Sequence, residues 1–174
     1  MKIACISDKG GRSALSEDLW RKLRVLAEAR GHALQRIELD RDEVSSCTGC
    51  FLCWKTASRE CVSRDPIGNL TRAKLDADLA VWLAPVVFGT ASSAVKNAMD
   101  RGDLLWLNPK RAAVVIGYSE DMDNEERSTF LDLIRLHRGA KDVVHPENKE
   151  DVSVFATRSA RDNDFICRRL GDML

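Results

Sequence analysis

The stretch from Leu79 to Ala84 constrains the fold of this chain more than any other, because it is apolar throughout and meets Pro85 at its end. A short apolar run without alternation is the pattern of a central parallel strand, covered on both faces by helices. Lys2 to Ser7 reads as an opening strand. Leu15 to Arg30 carries Leu15, Leu19, Leu23 and Leu26 at helical spacing until Gly31 stops it. Ala33 to Leu39 is expected as a second strand, Asp40 to Asp65 as a polar insertion, and Pro66 to Leu75 as a short helix. Ala91 to Leu107 reads as a helix and Ala112 to Tyr118 as another buried strand. Glu125 to Arg138 follows as a helix broken by Gly139, Lys141 to His145 as a last strand, and Asp162 to Leu174 as a closing helix.

Five strands with helices between them predict an α/β fold: an open, doubly wound parallel sheet in the flavodoxin-like order 2-1-3-4-5, with helices on both faces. The 174 residues, 44% of them hydrophobic, suffice for one core, so residues 1–174 are expected to form a single domain with residues 40–65 as a loop after the second strand. The 27 basic and 27 acidic residues cancel, so no overall field recruits nucleic acid or an anionic membrane. The first residues lack the apolar stretch of a signal peptide, and no run approaches the ~18 apolar residues of a membrane span. A cytoplasmic, reducing location is therefore expected, which leaves thiols free for metal.

Four cysteines crowd that insertion, as Cys47-x2-Cys50-x2-Cys53-x7-Cys61. Three sulfurs at x2 spacing sit on one tight turn with Gly49, and the following residues swing the fourth back. Four local thiolates suit a four-iron four-sulfur (4Fe-4S) cluster. Zinc is the competing metal, although structural zinc sites usually draw two separated pairs; buried, redox-active or disulfide-paired thiols are the third possibility. Cys5 and Cys167 fall in an opening strand and a closing helix and read as small buried hydrophobes.

In the expected strand order, ligands bind where the loops after the first and third strands meet. The first loop offers Ser7, Lys9, Arg12, Ser13 and Ser16 before a helix whose free amides attract an anion; the plainer alternative is a polar turn with Ser16 as N-cap. Asp8 argues against a phosphate there. The second loop, Pro85, Val86, Val87, Phe88 and Gly89, leaves a buried strand and exposes an aromatic. The dinucleotide fingerprint G-x-G-x-x-G is absent. His32, His137 and His145 form no triad, and Ser13 and Ser16 have no evident base, so hydrolase chemistry is not expected. Glu120, Asp121, Asp123, Glu125 and Glu126 read as a solvated helix start. Trp54 beside Cys53 is a candidate shield for a metal centre, and Trp106 a candidate subunit contact.

The cysteine run together with the segment Ala84 to Arg101, which contains Pro85, Phe88, Gly89, Lys96 and Asp100, resembles the iron-sulfur flavoproteins within the NADPH-dependent FMN reductase, flavodoxin-like superfamily, from residue 1 to about residue 145. The resemblance implies FMN on the sheet, a 4Fe-4S cluster on Cys47, Cys50, Cys53 and Cys61, and electron transfer between the two; the expected strand order, with the cysteine loop leaving the second strand beside the first, would put both on one rim of the sheet. It also implies a small-molecule or protein redox partner and assembly as a homodimer or homotetramer. For FMN it singles out Ser7, Lys9, Arg12, Ser13 and Ser16, the segment Pro85 to Gly89, and Tyr118. The chain departs from the family where Ala14, Leu15 and Ser16 replace Gly-Asn-Thr, where Val87 replaces a tyrosine, and where the acidic stretch Tyr118 to Asp123 replaces a glycine-rich loop. The alternatives are a cluster-free NAD(P)H-dependent FMN reductase and a non-enzymatic flavodoxin-like scaffold with a metal-binding loop.

Overall fold

A computed structural model describes residues 1–55, 61–63, 65, 70, 73, 76–101, 112–139, 152–172 and 174. In chain order the elements are β1 (Lys2–Asp8), α1 (Ala14–Ala29), β2 (Ala33–Leu39), α2 (Leu52–Lys55), β3 (Leu79–Val87), β4 (Thr90–Ala91), α3 (Ser93–Arg101), β5 (Ala112–Tyr118), α4 (Asn124–Gly139), β6 (Val152–Thr157) and α5 (Ala160–Gly171). The sheet runs β2-β1-β3-β5-β6, all parallel, and β4 adds only two antiparallel residues to the end of β3. Counting the parallel strands alone, this is the expected 2-1-3-4-5 order with its reversal between β1 and β3.

Period-two alternation in β3 divides the core. Ala80, Trp82 and Ala84 face α3 and α4, where Val95, Met99, Phe130 and Ile134 cover them. Leu79, Val81 and Leu83 face α1 and α5, against Leu19, Leu23, Ile166 and Leu170. Cys5 lies wholly inside this second layer, where burial pushes its thiol up to about 12. Cys167 packs against the same layer and is pushed to about 11, again chiefly by burial. Cys5 is the small buried hydrophobe that the sequence indicated, whereas Cys167 is only half-buried and lines the groove between α1 and α5.

Two expectations change. The fifth parallel strand is Val152–Thr157, paired with β5 from Ala113↔Val152 to Tyr118↔Thr157; the strand expected at Lys141 to His145 lies outside the described residues. Ser16 is not the N-cap of α1. Ser13 is, and Ser16 occupies the N3 position: Ser16 N donates to Ser13 Oγ and Ser13 N donates to Ser16 Oγ, at 3.2 and 2.9 Å. The reciprocal pair satisfies two amides, which a cap at Ser16 would leave open. The expected helix Pro66 to Leu75 lies largely outside the described residues, as do Trp106, His145 and the side chains of Trp54 and His137. Among the described residues no helix is long and apolar enough to cross a membrane.

Candidate functional site: a cysteine cavity and a closed loop at opposite ends of one helix

The chain leaves β2 at the C-terminal rim of the sheet and descends along α3. Val44 is buried, and its carbonyl accepts from Asn97 Nδ2 at 3.2 Å. Beyond it, at the C-terminal end of α3, lies a cavity of about 450 Å³ that Cys47, Cys50, Cys53, Cys61 and Arg101 all line. The turn between Cys47 and Cys53 is made by Gly49 at φ 66° and Phe51 at φ 53°. A bulky residue is rarely found in that left-handed region, so Phe51, 58% exposed, is held against its preference.

The sulfurs differ in their surroundings. The Leu52 amide and the Thr48 hydroxyl hold the Cys50 thiol below its ordinary range. Burial, reinforced by the charges of Cys61, Cys47 and Cys50, raises that of Cys53. Cys61 accepts from Arg101 Nη2 at 3.2 Å. Arg101 is itself 4% exposed, pairs with Asp65, and donates to the Ser45 carbonyl at 3.0 Å. Burial works against its charge, and the bonds to Asp65 and Cys61 outweigh that cost. A buried guanidinium thus ties the loop residue Ser45, the fourth cysteine and Asp65 to one helix terminus, a role that nothing in local sequence pattern revealed.

Among the described residues, no three His, Cys, Asp or Glu side chains come together as a ligand set for one metal ion. Tetrahedral zinc with Zn–S bonds near 2.3 Å needs sulfurs roughly 3.8 Å apart. A cube of four irons holds its thiolates farther apart, and four soft donors around one concavity with donors to two of the sulfurs fit such a group.

At the other end of α3 the loop after β1 faces the end of β3, and here the expected phosphate ligands meet partners from their own chain. Asp8 Oδ1 accepts from the amides of Gly10 and Gly11 at 2.8 and 3.2 Å. Lys9 pairs with Asp40 at 3.0 Å, and Arg12 with both carboxylate oxygens of Glu38. Arg36, stacked 5.1 Å from the Trp20 ring, donates to Glu17 at 2.7 Å and to Ser7 Oγ at 3.3 Å. Hydrogen bonds from Arg12 and Arg36 hold the Glu38 and Glu17 carboxyls below their usual range, so both remain charged through mild acid. Ser13 and Ser16 serve the capping box. Tyr118 donates to the Gly11 carbonyl at 2.8 Å, and burial raises its phenol strongly. A Cβ at Gly11 would lie 2.2 Å from Pro85 Cγ. As it stands this loop does not fit the phosphate of FMN. By contrast Val87 and Phe88 are open, Phe88 at 91% exposure and φ 49°, followed by Gly89 at φ 72°. Val86 is buried.

The structure therefore brings the four cysteines around one cavity and places Pro85, Gly11 and Tyr118 in contact. It does not put both sites on one rim: α3 starts beside β4 at the rim, and its nine residues carry Arg101 about 13 Å away. The acidic group beyond β5 is a helix start, with Asp123 Oδ1 accepting the Glu126 amide at 2.8 Å. A larger groove of about 900 Å³ between α1 and α5 contains none of the candidate residues.

Residues 1–136 match the family model described as NADPH-dependent FMN reductase. Two iron-sulfur flavoproteins of Archaeoglobus fulgidus are similar. One is 28% identical over 62% of this chain and 50% of its own length; the other is 34% identical over 45% of this chain and 39% of its own. The chain thus spans half or less of the curated relatives it matches. Among solved structures, an FMN-dependent NADH-azoreductase from Bacillus anthracis in complex with FMN aligns with a TM-score of 0.64 at 14% identity, covering 99% of this chain and 98% of that one. An NAD(P)H:quinone oxidoreductase from Methanothermobacter marburgensis aligns at 0.59 and 15%, over 98% and 95%. At such identities the likeness establishes the flavodoxin-like fold.

Proposed function

The chain belongs to the NADPH-dependent FMN reductase family, and on that premise we propose that it is an electron-transfer oxidoreductase in which Cys47, Cys50, Cys53 and Cys61 hold a 4Fe-4S cluster, acting with a flavin in the crevice between β1 and β3. The observation that carries this reading is the single cavity lined by all four cysteines. Such a cluster, when bound, exchanges one electron at a time. The chain's own contribution is positional and electrostatic: the Leu52 amide and Thr48 hydroxyl point at Cys50, and the buried Arg101 donates to Cys61. Hydrogen bonds and charge at ligand sulfurs are the usual means by which a protein sets a cluster's potential. In the crevice the exposed Phe88 offers an apolar face to a flavin ring. The same reading takes in a small-molecule or protein redox partner and assembly as a homodimer or homotetramer; the names of the Archaeoglobus relatives support the cluster at low identity.

A second reading, a cluster-free NAD(P)H-dependent FMN reductase, draws on the lack of a closed ligand set among the described residues. Anaerobic reconstitution with iron and sulfide separates the two. The expected result is about four irons per chain and a broad brown absorbance bleached by dithionite, both abolished by Cys50→Ser with the fold unchanged. Iron below about one per chain after reconstitution would favour the second reading.

A further inference from the structure

We propose that Asp8 makes the crevice selective for a flavin without its phosphate, so that uncharged riboflavin, not FMN, is the ligand this crevice prefers. The inference rests on the reading of the crevice as a flavin site.

In doubly wound folds a ligand's phosphate is met by loop amides at the start of the first helix. Here two of those amides, Gly10 and Gly11, already donate to one oxygen of Asp8, whose side chain is nearly buried at 7% exposure. A phosphate would have to displace a carboxylate that has the same acceptor chemistry and is covalently in place. The surrounding charge also opposes it. Lys9, Arg12 and Arg36 are matched by Asp40, Glu38 and Glu17, and Asp8 is the fourth carboxylate, so four negative charges stand against three positive ones. A phosphate monoester brings close to two more negative charges at neutral pH.

Packing closes what charge leaves open. Gly11 lies so near Pro85 that no side chain would fit between them, and the Tyr118 hydroxyl fixes the Gly11 carbonyl from below. The hydroxyls of Ser13 and Ser16 answer each other's backbone amides. The far side of the crevice keeps its apolar character, with Phe88 held outward at positive φ and Val87 beside it 46% exposed. A ring system finds a face to lie on, and a dianion finds the amides of Gly10, Gly11, Ser13 and Ser16 taken.

The test uses the full chain freed of flavin, with riboflavin and FMN titrated into wild type, Asp8→Asn and Asp8→Ser and binding followed by flavin fluorescence. Asp8→Asn keeps the shape and removes the charge; Asp8→Ser also opens the amides. Wild type is expected to bind riboflavin at least tenfold more tightly than FMN. Asp8→Ser should raise FMN affinity about tenfold or more and move riboflavin less than twofold; Asp8→Asn should raise FMN affinity by a smaller factor, and it carries the test alone if Asp8→Ser does not fold. FMN preferred by wild type, or an FMN affinity indifferent to both substitutions, would overturn the inference and leave the flavin site standing. Failure of either flavin to bind any of the three folded proteins would overturn the flavin site and the inference together, with reconstituted iron content unaffected.

Discussion

The two ends of α3 carry similar materials and use them in opposite ways. At its C-terminal end, cysteines, serines, a glycine turn and a buried cation surround a concavity, and Arg101 is braced by Asp65 and the Ser45 carbonyl so that one of its N–H groups reaches a sulfur. At its N-terminal end, serines, a glycine pair and three cations meet acceptors from their own chain. Residue type does not separate a binding site from a structural turn. What separates them is whether the fold supplies an internal acceptor before a ligand arrives, since nearly every buried donor in a folded protein is satisfied by something.

The contrast can be attacked from either end. The largest effect is expected at the cavity: Arg101→Met removes the cation facing the mostly buried Asp65, and breaking a buried pair from one side costs about 3 kcal/mol. A lowered urea midpoint with unchanged slope would report it, with partial recovery in Arg101→Met/Asp65→Asn and faster loss of reconstituted iron in the single variant. Wild-type stability in Arg101→Met would make the cation incidental and weaken the contrast. At the loop, Gly11→Ala forces a methyl onto Pro85, an overlap worth about 1–2 kcal/mol that Gly11→Ala/Pro85→Ala should relieve. A neutral Gly11→Ala in thermal unfolding would mean that the loop does not close on β3. The smallest effect belongs to Lys9→Ala. Its partner pair is exposed, so no measurable change in stability is expected, and FMN affinity should stay within twofold of wild type because Lys9 answers Asp40. A tenfold loss of FMN affinity would place Lys9 on the phosphate and dissolve the difference between the two ends.

Much of the architecture was legible before the structure. Ala33–Leu39 and Ala112–Tyr118 fall at the bounds that their apolar pattern indicates. β3 runs on past Pro85 to Val87 because the two residues of β4 pair with Val86 and Val87, and the Pro85 carbonyl accepts from Ser92. The fifth parallel strand was missed for a different reason. Periodicity over the few positions from Val152 to Thr157 does not single out a strand; pairing with β5 does. The N-cap was misjudged because Ser13 and Ser16 are both good caps, and only their reciprocal geometry assigns the roles. The cysteine quartet was legible as a group, but its position at the far end of α3 was not, since a loop's anchorage depends on what it packs against.

The sequence by itself determined the doubly covered sheet, because a strand apolar on both faces demands helices on both, and it determined the local crowding of the thiols through their spacing. Only the tertiary structure decided which donors were left for a ligand. The bonds that settle this join residues such as Arg101 with Cys61 and Arg12 with Glu38, which lie 40 and 26 positions apart. Strand register and helix packing create such meetings, and no window of sequence contains both partners.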